Sequence, residues 1–190
     1  MAKQQVLFTG TGGQGLILAA IMLAEAAVLA GKNVVQSQSY GPEARGGASK
    51  AEVIISDEVV NYPKVQKPDV VLAMSQEAYR KYGFTLDEAS ILIIDNTYVQ
   101  DVKSRSKNFY ALPLTRITRN QLGSEQSANV VALGAVAALS RLISLEELRQ
   151  AVLRRAPKGS GARNLQALEI GWQLGAEALE PAAVKPARVG

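Results

Sequence analysis

The chain opens on a short apolar run, Val6-Leu7-Phe8-Thr9, that ends in glycines. A run of this length bounded by turn residues predicts a buried strand. From Gly13 to Ala30 the period changes: Leu16, Ala19, Ala20, Leu23, Ala27 and Ala30 recur at helical spacing, and Gly31 stands where a helix C-cap belongs. Asn33 to Ser37 predicts a second strand. Strand, glycine turn, helix and strand in that order open a parallel α/β sheet.

A loop with three Gly and one Pro follows over residues 39–47. Ala51 to Ile55 predicts a strand, with Val59 to Tyr62 as its hairpin mate across Asp57-Glu58. Asp69 to Met74 and Ile91 to Asp95 are continuous apolar runs of the kind found in central parallel strands. Between them Gln76 to Tyr82 predicts a short helix closed by Gly83, and Phe109 to Leu112 predicts a further strand. The last third is helical. Ser127 is placed to cap a helix over Ala128 to Leu142. Ser144-Leu145-Glu146-Glu147 is a capping-box pattern opening a helix that stops before Pro157. Asn164 is placed to cap a final helix whose Leu165, Leu168, Trp172 and Leu179 share a stripe. The expectation is one α/β domain over residues 1–179, a three-layer α/β/α arrangement with a mainly parallel, Rossmann-like sheet. Residues 180–190 carry two Pro and no periodicity, and form a tail that is loose or wrapped on a partner.

Composition narrows the chemistry. With 190 residues and 47% hydrophobic content, the chain is long enough to bury a sizeable core. A net charge of +4 permits an anionic partner without demanding nucleic acid. There is no Cys, hence no disulfide, no thiolate nucleophile and no cysteine-held iron–sulfur cluster. There is no His, hence no Ser-His-Asp triad and no imidazole ligand. The start shows no signal-peptide pattern, and the longest apolar stretches fall well short of the roughly 18 residues that span a bilayer. A cytoplasmic protein without membrane association is expected.

Two glycine-rich constellations carry candidate chemistry. Gly10-Thr11-Gly12-Gly13-Gln14-Gly15 has G-x-G-x-x-G spacing between a strand and a helix. Glycines there let backbone N–H groups and a helix N-terminus approach a phosphate. They serve a tight packing turn equally well. A nicotinamide site would place an acid about 20 residues further on. The stretch there is Gln36-Ser37-Gln38-Ser39, so NAD is disfavoured. The second constellation is Ser39-Tyr40-Gly41-Pro42-Glu43-Ala44-Arg45-Gly46-Gly47, beyond a strand's carboxyl end, where ligands bind in open α/β sheets. Tyr40, Glu43 and Arg45 supply a hydroxyl, a carboxylate and a guanidinium able to fork onto a carboxylate or phosphate. An internal Glu43–Arg45 pair bracing a turn is the alternative. The basic stretches Lys103, Arg105, Lys107 and Arg149, Arg154, Arg155, Lys158, Arg163 read as solvated surface, the first lacking the interleaved aromatics of single-strand nucleic acid binding.

These two motifs, in this order, resemble the gamma subunit of 2-oxoacid:ferredoxin oxidoreductases. Tyr62-Pro63, Pro68 to Ala78, Asn129 to Gly134 and Asn164 to Gly171 resemble the same family, so the likeness runs over about residues 4–178. The variant Tyr40-Gly41-Pro42-Glu43-Ala44-Arg45 is similar to the pyruvate, 2-oxoisovalerate and 2-oxoglutarate branches; indolepyruvate enzymes usually carry His and Gln at the positions of Tyr40 and Ala44. Ala51 to Ile55 and Met74 to Tyr79 lean toward the 2-oxoglutarate type. The resemblance implies a complex that decarboxylates a 2-oxoacid with thiamine diphosphate, passes electrons through iron–sulfur clusters to ferredoxin, and delivers the acyl group to coenzyme A. It implies that thiamine diphosphate, Mg and the clusters belong to alpha and beta subunits, with a delta subunit as a further candidate. It further implies that this chain binds no cofactor alone, is inactive alone and contributes no catalytic or metal residue. Tyr40, Glu43 and Arg45 are the candidates for facing substrate or coenzyme A, and Gly10, Gly12, Gly13, Gln14 and Gly15 are the candidate anion-binding or interface turn. The other class of function is a stand-alone α/β protein that binds a nucleotide or coenzyme A.

Overall fold

The structure, a computed structural model, describes residues 3–39, 47–83 and 86–180. Six strands, β1 (Gln4–Thr11), β2 (Asn33–Ser39), β3 (Ala48–Ser56), β4 (Val70–Ala73), β5 (Ile91–Asp95) and β6 (Asn108–Leu112), form one sheet in the order β2-β3-β1-β4-β5-β6. Six helices accompany them: α1 (Leu16–Leu29), α2 (Gln76–Ala78), α3 (Leu114–Leu122), α4 (Ala128–Ser140), α5 (Leu145–Arg155) and α6 (Gly161–Leu179).

β1, β4, β5 and β6 pair in parallel, whereas β3 runs antiparallel to both β1 and β2. Five strands therefore point the same way and β3 alone is reversed, which keeps the sheet mainly parallel. β2 is not the neighbour of β1, as the strand–turn–helix–strand reading implied; β3 fills the gap between them. The hairpin proposed for Val59 to Tyr62 is also absent. Residues 57–64 form no strand, because β3 already has both ladders filled, by β1 on one side and β2 on the other.

The two faces of the sheet are covered unequally. Val6, Phe8, Val53, Leu72 and Ile93 turn one way, into a large core with α1, α4 and α5. Each such side chain, once fully buried, contributes about 1.5–3 kcal/mol. α4 is buried along its length from Ala128 to Leu139, because the sheet lies on one side and α6 on the other. Leu7, Val71, Ala73, Leu92 and Ile94 turn the opposite way. That face is covered by α2, its π-helical continuation Tyr79–Gly83, and extended segments carrying Leu86 and Val99.

Helix ends follow the chemistry of the chain at α5 but not at Ser127 or Asn164: Ser127 precedes α4 without a side-chain cap, and α4 stops at Ser140 rather than Leu142. Ser144 Oγ accepts from Glu147 N at 3.4 Å, as the capping box requires, and Arg154 and Arg155 close the last turn of α5. Asn164 caps nothing. α6 begins earlier, at Gly161, and Asn164 lies inside it with Ser127 Oγ donating to its Oδ1 at 3.2 Å. α3, which the apolar pattern did not announce, starts directly after Pro113 and ends at Gly123 in the left-handed conformation.

Candidate functional site

The chain leaves β1, turns through glycines, and crosses to β2 by way of α1; it returns to the other side of β1 with β4. The carboxyl ends of β1 and β4 therefore flank a topological switch point, where open α/β sheets bind ligands. A cavity of about 660 Å³ sits there. Thr11, Gly13, Gln14 and Gly15 form one wall, Met74, Ser75 and Gln76 the second, and Tyr98, Thr115, Glu125 and Ala128 the remainder.

Gln14 organises the glycine turn. Its Oε1 accepts from Thr11 N at 2.8 Å, and its Nε2 donates across the switch point to the Met74 carbonyl at 3.1 Å. Gly10 has no side chain because that carboxamide occupies the place: a Cβ on Gly10 would lie 2.2 Å from Gln14 Oε1. Gly15, at φ 72°, precedes α1, and a Cβ there would lie 2.7 Å from Asn129 Nδ2, which donates to the Gly15 carbonyl at 3.1 Å. Gly13 differs from these two. Its φ is +91°, yet no atom lies within 4 Å of a Cβ built on it; Gly12 is equally open. The bare backbone of Gly12 and Gly13 thus faces free space, that of Gly13 at the cavity.

Three helices of useful length begin at the cavity: α1 at Leu16, α3 at Leu114, whose next residue Thr115 lines it, and α4 at Ala128. None carries an acidic residue in its first turn. In α1 no side chain caps the leading N–H groups, so they are left for a ligand or solvent. α3 is anchored differently: buried Asp95, at the end of β5, accepts from Thr115 N at 3.2 Å and from Thr115 Oγ1 at 2.5 Å. Among the described residues Glu125 is the one carboxylate lining the cavity. It is hydrogen-bonded by Arg119 and, at 3.0 Å, by the Tyr98 hydroxyl. The Arg119 guanidinium, then the Tyr98 hydroxyl, hold its carboxyl below the usual range. The same carboxylate pushes the Tyr98 phenol up. The uncapped start of α1 brings partial positive charge to the cavity, and the carboxylate of Glu125 is paired with Arg119.

Of the residues singled out in the sequence, Gly13, Gln14 and Gly15 line this cavity, whereas Gly10 and Gly12 belong to the same turn without lining it. Tyr40, Glu43 and Arg45 lie outside the described residues. Their flanks do not: β2 and β1 point the same way, and Ala48 pairs with Thr11 in the sheet. The loop thus leaves and re-enters at the cavity's end of the sheet. Sequence reasoning missed Ser75, Tyr98, Thr115 and Glu125. Ser75 carried a usable signal, a capping residue directly after an apolar strand; the other three are scattered single residues. Residues of the second basic stretch are engaged internally, Arg155 with Glu25, Arg149 with Glu169, and Arg163 with the Leu122 carbonyl and Ser124.

A strand–glycine turn–helix unit with a crevice at the switch point defines a Rossmann-like binding domain with one reversed strand. The chain matches the pyruvate ferredoxin/flavodoxin oxidoreductase family over residues 5–174, and it belongs to that family. It is 42% identical to the 2-oxoglutarate synthase subunit KorC of Methanocaldococcus jannaschii, over 92% of this chain and 95% of that protein. Among solved structures it resembles the gamma subunit of a keto/oxoacid ferredoxin oxidoreductase from Geobacter sulfurreducens, with TM-score 0.86 and 41% identity, covering 94% of this chain and 99% of the other. It also resembles part of a 2-oxoglutarate:ferredoxin oxidoreductase from Magnetococcus marinus with 2-oxoglutarate, coenzyme A and succinyl-CoA bound. There the TM-score is 0.82 and the identity 25%, over 97% of this chain and 32% of that longer one.

Proposed function

We propose that the chain is the gamma subunit of a complex that converts a 2-oxoacid, 2-oxoglutarate in the first instance, and coenzyme A into succinyl-CoA and CO2, the two electrons passing to ferredoxin. The 2-oxoglutarate assignment is supported by the likeness to KorC subunits over nearly the full length. The chain's own residues do not suit the redox groups of such a complex. It has no Cys to hold an iron–sulfur cluster, and among the described residues no group of three or more acids is placed to hold a metal ion. Thiamine diphosphate, Mg and the clusters are assigned to the alpha and beta subunits, and no step of that chemistry runs through residues here. No helix among the described residues is long and apolar enough to cross a membrane.

The part assigned to this subunit is to receive coenzyme A and shield the reacting centre. One observation carries it: the open backbone of Gly12 and Gly13 beside the uncapped start of α1. A diphosphate placed there would take backbone N–H groups and the favourable end of the helix dipole, the Glu125 carboxylate of the same cavity being already engaged by Arg119 and Tyr98. Arg45 is assigned to the same ligand or to the 2-oxoacid carboxylate, with Tyr40 and Glu43 beside it. The test is co-expression with the candidate partner subunits, followed by an assay of 2-oxoglutarate- and coenzyme A-dependent electron transfer to ferredoxin. Activity is expected in the assembled complex and not in this chain alone. Tight nucleotide or coenzyme A binding by the isolated chain, with no partner recruited, would favour a stand-alone binding protein instead.

A further inference from the structure

On the thinly covered face the protected sheet surface stops one strand short of the edge. In the β5–β6 ladder Leu92 lies beside Phe109 and Ile94 beside Ala111, and strand alternation places all four on one face. Leu92 and Ile94 are buried with Val99 of the segment that follows β5, and Val102 packs against the same cluster. Phe109 is 40% exposed, and Ala111 is exposed as well. Between that segment and β6 runs a groove of about 490 Å³, with Val99, Val102, Phe109 and Ala111 among its lining residues. β6 is also an edge strand, paired only with β5. One side of its backbone is open to a further strand.

The charged side chain among the groove's lining residues is a cation, Arg116, and a second cation, Lys103, is next in sequence to the lining residue Val102. Both are exposed, and neither has a carboxylate partner among the described residues. Neighbouring acids are already engaged: Asp101 with Arg80, Glu88 with Lys107, and buried Asp95 with Thr115. An apolar centre bounded by uncompensated cations has the anatomy of a protein interface, and its charge selects the partner.

We propose that this groove docks an extended acidic segment of a partner subunit, laid along β6, with one large apolar side chain on Phe109 and Ala111 and carboxylates against Arg116 and Lys103. The proposal rests on the reading of the chain as a subunit and adds where, and with what chemistry, the partner is held. The experiment uses the co-expressed complex. A photo-crosslinking amino acid at position 109 is expected to capture an Asp/Glu-rich segment of a partner subunit, located by mass spectrometry. The double variant Arg116→Glu with Lys103→Glu is expected to weaken assembly by at least about ten-fold at low salt, and the salt dependence of assembly is expected to shrink. The control Arg154→Glu with Lys158→Glu, on the far side of the core, is expected to leave assembly unchanged. Unfolding curves of the isolated variants keep a folding defect separate. Crosslinks to a second copy of this chain, crosslinks to a basic segment, or wild-type assembly by the folded double variant would each overturn the proposal while leaving the subunit reading intact. A wild-type chain that recruits no partner subunit would overturn both.

Discussion

Glycine serves opposite purposes in two regions of this molecule. Where α4 crosses α6, glycines stand where there is no room. A Cβ on Gly171 would lie 1.8 Å from the Val131 carbonyl oxygen, and one on Gly134 would lie 2.3 Å from that of Leu168. The helices meet backbone to backbone, and the whole helical layer depends on it. At the carboxyl end of β1, Gly12 and Gly13 stand where a side chain would meet no atom of the protein. The first region uses missing side chains to close a core, the second to leave a surface bare. A glycine in a crowded site is accounted for by its neighbours; Gly13, like Gly31, Gly123 and Gly159, stands in open space at a positive φ, and Gly12 stands in open space without one.

The largest expected effect tests the crowded region. Gly171→Ala forces an overlap with backbone that no rotamer relieves. A destabilisation of at least about 3 kcal/mol is expected, at or above the upper end for overpacked sites. Thermal unfolding should then shift down by roughly 6–12 °C for a domain of this size. A shift within 2 °C by calorimetry would show that the helices can slide apart, and the contrast between the two regions would fail.

The open region is tested next through its neighbouring loop. Arg45→Ala is expected to remove a charge-assisted contact worth roughly 1.5–3 kcal/mol. That corresponds to about 10- to 150-fold in the affected kcat/KM, measured on the assembled complex with coenzyme A and 2-oxoacid varied separately. Assembly and unfolding temperature should be unchanged. Glu43→Ala separates the alternatives: equal loss together with a lower unfolding temperature would identify an internal Glu43–Arg45 brace rather than a ligand contact.

A smaller effect is expected at the turn itself. Gly13→Ala must adopt a left-handed backbone and so costs about 1–2 kcal/mol of stability. Gly12→Ala, in open space at an ordinary φ, should cost no more than about 0.5 kcal/mol. If a diphosphate approaches here, both variants raise the KM for coenzyme A by more than their stability changes account for, while the KM for the 2-oxoacid stays constant. Unaltered coenzyme A kinetics in both would reassign the turn to packing or to a subunit interface.

The smallest effect is pH-dependent. The carboxyl of Glu125 is held below its usual range by Arg119 and Tyr98. A carboxyl whose folded pKa is depressed contributes stability above its unfolded value, about 4.3, and loses it as acidification passes through the lower folded value. Glu125→Gln should therefore lower thermal stability slightly near neutrality while leaving it unchanged at low pH, so that the acid limb flattens. A loss on the acid side as large as that at neutral pH would show that the Tyr98–Glu125 contact acts in some other way than through charge.

What could be read in the chain differs from element to element. β1, β4 and β5 stood out because strands buried on both faces need unbroken apolar runs. α5 stood out because its start carries its own hydrogen-bonding partner. α3 did not: its polar residues outweigh its apolar ones, and it is held in part by Asp95, which belongs to a different element. Asn164 reads as a cap by residue type, yet it bonds to Ser127 across the helical layer.

The sequence by itself determined the elements with strong local periodicity, the glycine turn after β1, and, through the absence of Cys and His, that no thiolate or imidazole chemistry belongs to this chain. Those properties are local or compositional, and neither kind requires knowing which segments meet. Only the tertiary structure decided that β3 enters reversed between β2 and β1, since that choice depends on which edge offers a free ladder. Only it decided that Gly10 yields to the Gln14 carboxamide while Gly13 faces a cavity, and that Tyr98, Thr115 and Glu125 complete the cavity wall. Such residues lie far apart along the chain. Their common position comes from strands that end at one level of the sheet, a long-range consequence of packing that local pattern does not encode.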